Sequence, residues 1–170
     1  MSTGAGAGAG AAAAAGASSP GPRYEALLQL LRTAEALWNA SRLFFVRWEL
    51  SPSQFNVLNL LLDQPAGCTQ MELSRSLIVH RSNVTGLVDR LEARGLVARR
   101  ENNRDRRAYR VVLTAAGRKL IGQILPHYYA AAERVWGGLS ARGANKLVAA
   151  LTVVCANAQG IAGDEPGAHT

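Results

Sequence analysis

The sequence predicts a mainly α-helical fold with one small β-hairpin. Three observations carry this. Apolar residues recur at helical spacing through long stretches on both sides of the chain's middle. Only one pair of runs, Leu96–Arg100 and Arg107–Leu113, reads as strands, joined by the polar segment Glu101–Arg106. The chain has 170 residues, 48% of them hydrophobic, enough for one core.

Each element has its own signal. Residues 1–22, rich in Gly and Ala, lack a basic n-region and a strongly apolar stretch, so they read as a disordered tail rather than a signal peptide. From Arg23 to Trp48, apolar residues Tyr24, Leu27, Leu28, Leu31, Ala34, Leu37, Trp38, Phe45 and Trp48 keep helical spacing without an internal Gly or Pro. So long a stripe exceeds what a small single chain can cover and points to a partner chain. Ser51-Pro52-Ser53-Gln54 opens a second helix with an N-cap, a proline at the first helical position and a capping-box glutamine. Phe55, Leu58, Leu61 and Leu62 form its inner side. Thr69 and Glu72 make the same box for a short third helix through Leu77. A fourth helix, about 81–94, places Val84, Leu87, Val88 and Leu91 on one face, and Gly95 ends it. After the hairpin, Thr114 caps a fifth helix carrying Leu120, Ile124, Tyr128, Ala131, Val135 and Leu139, with Pro126 expected to kink it. Ser140 caps a sixth through about Ala158, with Leu147, Leu151 and Val154 inward, and 161–170 reads as a frayed tail.

Charge is concentrated in one place. Between Arg75 and Lys119 there are 12 Lys/Arg against 4 Asp/Glu, a local balance of +8 in a chain whose total is +7. The remainder is nearly neutral, so the excess positive charge marks where a polyanion docks. The third and fourth helices form a helix-turn-helix. With its apolar face docked inward, the fourth leaves Arg81, Ser82, Asn83, Thr85, Gly86, Asp89 and Arg90 outward. Arg pairs with guanine and Asn with adenine in a major groove, and Ser or Thr serves base or phosphate. The hairpin loop places Arg104, Arg106 and Arg107 beside the duplex as a wing suited to a narrow, negative minor groove. Asp105 is repelled by phosphate and is assigned to ordering the wing against a neighbouring arginine.

These residues resemble the core of the MarR family of winged helix-turn-helix transcriptional regulators. The resemblance lies in the Val84–Glu92 run VTGLVDRLE, in Gly95-Leu96-Val97, in Asp105-Arg106-Arg107, and in Val111-Val112-Leu113-Thr114 followed by Gly117; with the helix order it extends from about Arg23 to Ala158. It implies a single domain over 23–160, with a winged helix-turn-helix at 51–113 and a helical dimerisation region from 23–48 and 114–160. It further implies a homodimer, probing a palindromic double-stranded DNA site and acting as a repressor released by a small aromatic or phenolic anion. By the same resemblance, Trp38, Arg42, Phe45 and Phe55 line an effector crevice, although aromatic residues at this spacing also serve as plain core. His80 stands where relatives place a serine cap.

Other classes find little support. No run reaches the ~18 apolar residues of a membrane span. No nucleophile–base pairing, phosphate loop or metal-ligand spacing points to an enzyme, a metal or a cofactor. Two cysteines, Cys68 and Cys155, give no disulfide framework, which implies a reducing, cytoplasmic setting. Cys155 reads as a buried inert thiol; Cys68, beside a helix cap, reads as an exposed one. Two alternatives stay open: a constitutive or architectural DNA-binding protein without an effector, and a thiol sensor using Cys68.

Overall fold

The structure is a computed structural model describing residues 21–77, 84–101 and 109–163. The elements are α1 Gly21–Phe45, a 3-10 turn Val46–Trp48, α2 Pro52–Leu62, β1 Cys68–Thr69, α3 Gln70–Ser76, α4 Val84–Ala93, β2 Val97–Glu101, β3 Tyr109–Leu113, α5 Ala115–Trp136 and α6 Ala141–Gly163. The fold is mainly helical with a small antiparallel sheet, as the sequence predicts.

Local chemistry fixes the element starts. At α2, the Gln54 amide donates to Ser51 Oγ at 3.2 Å, and the Ser51 amide donates to Gln54 Oε1 at 2.8 Å. At α3, Thr69 and Glu72 exchange the equivalent pair at 3.2 and 2.7 Å. Thr114 accepts from the Gly117 amide at 3.0 Å to cap α5. The same hydroxyl donates back to the carbonyls of Gly95 and Leu96 at the end of α4.

The sheet has the order β1-β3-β2. β2 and β3 pair from Val97↔Leu113 to Glu101↔Tyr109, so residues 102–108 connect the far ends of the two strands. β1, which is too short to read from the sequence, pairs Cys68 with Val111 and Thr69 with Arg110. It anchors the central strand to the start of α3.

The core is built from α2, α3, α4, the sheet and the first half of α5: Phe55, Leu58, Leu61, Leu73, Val88, Leu91, Val111, Ile121 and Ile124 are all nearly inaccessible. Burial of this kind contributes about 1.5–3 kcal/mol for each large side chain. The outer helices differ. Of α1, only Phe45 is buried; Tyr24, Leu27, Leu31, Leu37 and Trp38 are exposed.

Several expectations need correction. Leu147, Leu151 and Val154 do not point into a core: among the residues of α6 whose burial is described, none is buried in the single chain. In α5, Val135 is exposed, Ile121 is the inward residue the spacing missed, and Leu139 lies beyond the helix, which ends at Trp136 where Gly137 takes φ +47°. α5 runs without interruption across Pro126, although that residue supplies no amide to the Gly122 carbonyl. α6 continues to Gly163, past the expected end near Ala158. Among the described residues no single helix is long and apolar enough to cross a membrane.

Candidate nucleic-acid interface

α4 docks through one face and presents the other. Val84, Leu87, Val88 and Leu91 are each at most 4% exposed, packed on α2 and α3. The i, i+3, i+4, i+7 spacing of these four leaves Thr85, Asp89 and Arg90 on the exposed side. Thr85 Oγ1 lies 3.4 Å from Gln70 Oε1, to which it donates across the two helices of the helix-turn-helix. Arg90 forms no ion pair among the described residues. Arg81, Ser82, Asn83 and His80, and the wing residues Arg104, Asp105, Arg106 and Arg107, lie outside the described residues.

Three arginines of the basic segment face inward to the protein instead of outward. Arg99, on β2, bonds Asp89 through Nη2 and Glu92 through Nη1, and its amide donates to Glu92 Oε1 at 3.0 Å. The hydrogen bond to Asp89 is the largest influence on its guanidinium, which is held above its ordinary pKa. Two carboxylates on α4 that would repel phosphate thereby share one guanidinium, which offsets one of their two charges, and the wing strand is tied to the helix. Arg94 donates to the carbonyl oxygens of Glu49, at 2.5 Å, and Trp48, at 3.2 Å. Arg110 donates through Nε to the Ala66 carbonyl at 2.8 Å and through Nη2 to that of Gly67, and lies 3.6 Å from Glu72. Counting charge along the sequence therefore overstates what is available to a polyanion. Asp89 and Glu92, one helical turn apart and followed by a basic strand, were the available signal for Arg99. For Arg94 and Arg110 no signal existed, because their hydrogen bonds end on backbone carbonyls more than 40 residues away.

The expected effector residues separate into two groups. Phe45 and Phe55 are both 1% exposed and stack with ring centroids 4.4 Å apart. Tyr128 of α5 joins them, 4.8 Å from Phe55 and 5.8 Å from Phe45. This is core packing that holds α1, α2 and α5 together. Trp38 and Arg42 are exposed on α1. Beside the stack, the Arg47 guanidinium lies 3.8 Å over the Trp48 ring, and Trp48 is 6.0 Å from His127.

Both cysteines depart from expectation. Cys68 is buried in β1, and burial, then Glu72, pushes its thiol pKa up, so it holds little thiolate. Its place beside a helix cap did not reveal that a strand pairing would cover it. Cys155 is exposed on α6, among whose residues of described burial none is buried in the single chain. It lines a shallow concavity of about 480 Å³ with Val148, Leu151, Thr152, Ala156 and Gln159. Among the described residues no cluster of metal-ligating side chains occurs.

A family model described as the MarR family matches residues 48–108, the span from the 3-10 turn to the wing. The chain is 38% identical over 69 residues to the transcriptional repressor MprA of Escherichia coli (strain K12), covering 41% of this chain and 39% of that protein. It thus spans about two-fifths of that relative's length. It is 31% identical over 111 residues to the HTH-type transcriptional regulator FarR of Neisseria gonorrhoeae, covering 64% of this chain and 75% of that one. Among solved structures it resembles BpsR of Bordetella bronchiseptica, whose DNA binding is regulated by 6-hydroxynicotinic acid. That match has a TM-score of 0.70 and 28% identity, and covers 81% of this chain and 98% of that one.

Proposed function

The chain belongs to the MarR family, and from that premise we propose that it is a transcriptional repressor that binds a palindromic double-stranded DNA site as a homodimer and acts in the cytoplasm. α4 and the residues before it, Arg81, Ser82, Asn83, Thr85 and Arg90, read the major groove. Arg104, Arg106 and Arg107 form a wing that enters the minor groove, ordered by Asp105. The observation that carries this reading is the docking of α4: its whole apolar face is consumed by the core, and the outward face belongs to the segment with the +8 balance. Exposed apolar residues on α1 and α6 support the homodimer.

The deciding experiment is duplex binding by fluorescence anisotropy across salt concentration. A protein making about 6–10 phosphate contacts loses roughly 10³–10⁵ in affinity between about 50 and 200 mM salt. Arg106→Ala and Arg107→Ala each weaken binding to all sequences and lower the salt slope by about one, whereas Arg81→Ala and Asn83→Ala relax base preference at one position. Unchanged binding in both wing variants defeats the wing assignment.

The same reading includes release by an aromatic anion at a crevice bounded by Trp38, Arg42, Phe45 and Phe55, supported by the aromatic carboxylic acid that regulates BpsR. A second reading, constitutive binding without effector, is favoured by the Phe45–Phe55–Tyr128 stack, whose rings already fill the space between their helices. Titrating the DNA complex with 6-hydroxynicotinic acid and related aromatic acids separates the two: release supports regulation, and unaltered affinity with every acid supports constitutive binding.

A further inference from the structure

The junction between α1 and α2 carries an unusual backbone feature, and the side chain that directly follows α4 reaches it. Glu49, which ends the 3-10 turn, has φ +54° and is the only non-glycine residue with positive φ among the described residues. Such a backbone state persists only when its surroundings fix it. The Glu49 amide bonds the Val46 carbonyl at 2.9 Å, and the Leu50 amide bonds the Phe45 carbonyl at 3.3 Å. The outer carbonyls of this turn, Trp48 and Glu49, point to the guanidinium of Arg94, which spans both with Nη2 and Nη1. Its Nη2 is also 3.9 Å from the Glu49 carboxylate. Arg94 directly follows α4. The planar, forked guanidinium bonds two neighbouring oxygens in one orientation, which a single-point cation does not. The other side of the turn is packed against α1 and α5: Trp48 lies 5.1 Å from Phe44 and 6.0 Å from His127.

We propose that Arg94 is a positioning residue: by locking the end of the reading helix to the turn that closes α1, it sets how far apart the homodimer's two reading helices stand and hence which half-site spacing is accepted. The inference rests on the palindrome-binding homodimer reading above. α1 supplies the exposed apolar stripe through which that dimer forms, α4 does the reading, and Arg94 bridges the end of α4 to the turn that closes α1. Half-site spacing is a geometric quantity, since reading helices of a two-fold dimer must fall about 34–36 Å apart, one turn of DNA, or a multiple of it. A looser joint tolerates other spacings without altering how each half-site is read.

The test starts with a site selected by the wild-type protein from a random duplex pool, followed by versions with one or two base pairs added or removed between half-sites. Wild-type protein is expected to lose at least about tenfold in affinity on changing the spacing. Arg94→Met is expected to reduce that penalty to about threefold or less, with base preference within each half-site and the salt slope unchanged. Arg94→Lys, which keeps the charge but not the fork, moves the same way by a smaller factor, and it decides the matter if Arg94→Met does not fold. A spacing penalty in the folded variants equal to that of wild type overturns the inference, as does a salt slope lowered by about one, which makes Arg94 a phosphate contact. Failure of the wild-type protein to select a two-fold site overturns the homodimer reading and this inference with it.

Discussion

Gly117 lies where the wing returns to α5, and a Cβ on it would stand 2.1 Å from the Leu96 carbonyl oxygen and 2.9 Å from a Leu113 methyl. The glycine is required by contact, not by dihedral freedom, since the obstructing atom is backbone and cannot rotate away. Gly117→Ala is expected to cost about 1–3 kcal/mol or more in urea unfolding. Gly122, on the same helix with nothing within 4 Å, provides the control. Gly122→Ala is expected to be neutral or to stabilise by about 0.5–1 kcal/mol. The sequence showed the Leu-Thr-x-x-Gly pattern; only the tertiary contact explains why the last residue has no side chain. Arg99 makes the same point from the opposite side. As a letter in a basic run it counts as a DNA contact, yet its guanidinium is spent on Asp89 and Glu92.

At the scale of elements, the most legible features are those whose chemistry is local. The boxes at Ser51/Gln54 and Thr69/Glu72 formed as spaced, because each links residues three apart within one chain segment. The Thr69 amide, first among several influences, lowers the pKa of Glu72 below the usual carboxylate value. A folded-state value below the unfolded one means the carboxylate adds stability above its unfolded pKa of about 4.3, and that stability is lost as pH falls through the folded value. Glu72→Gln keeps an acceptor for the box but removes the charge. Urea midpoints measured from about pH 6 down to pH 3 should fall less steeply in the variant than in wild type, and equal slopes would discount the Glu72 charge. Elements defined by distant partners were hidden: β1 is two residues long and exists only because Cys68 and Thr69 pair with β3.

For the whole molecule, the question is what covers the outer helices. α1 and α6 leave Leu27, Leu31, Trp38, Val148, Val153 and Val154 exposed on a single chain whose inner core is otherwise closed. Apolar exposure on that scale marks an interface. A homodimer should appear in sedimentation equilibrium, and Leu31→Glu, which sets a charge in the α1 stripe, is expected to shift it toward monomer and to weaken duplex binding, while the unfolding midpoint of the core changes little. A monomeric wild type excludes the dimer. The sequence by itself determined the helix order, the caps, the hairpin and the place of the basic segment, because periodicity, capping and charge are properties of neighbouring residues. Which arginines remain for a ligand, which cysteine is covered and which apolar stripes stay bare were decided by tertiary structure alone. Each depends on atoms brought together from distant parts of the chain: Arg94 and Arg110 end on carbonyls, which every residue carries, and a stripe's spacing is the same whether its cover is its own core or another subunit.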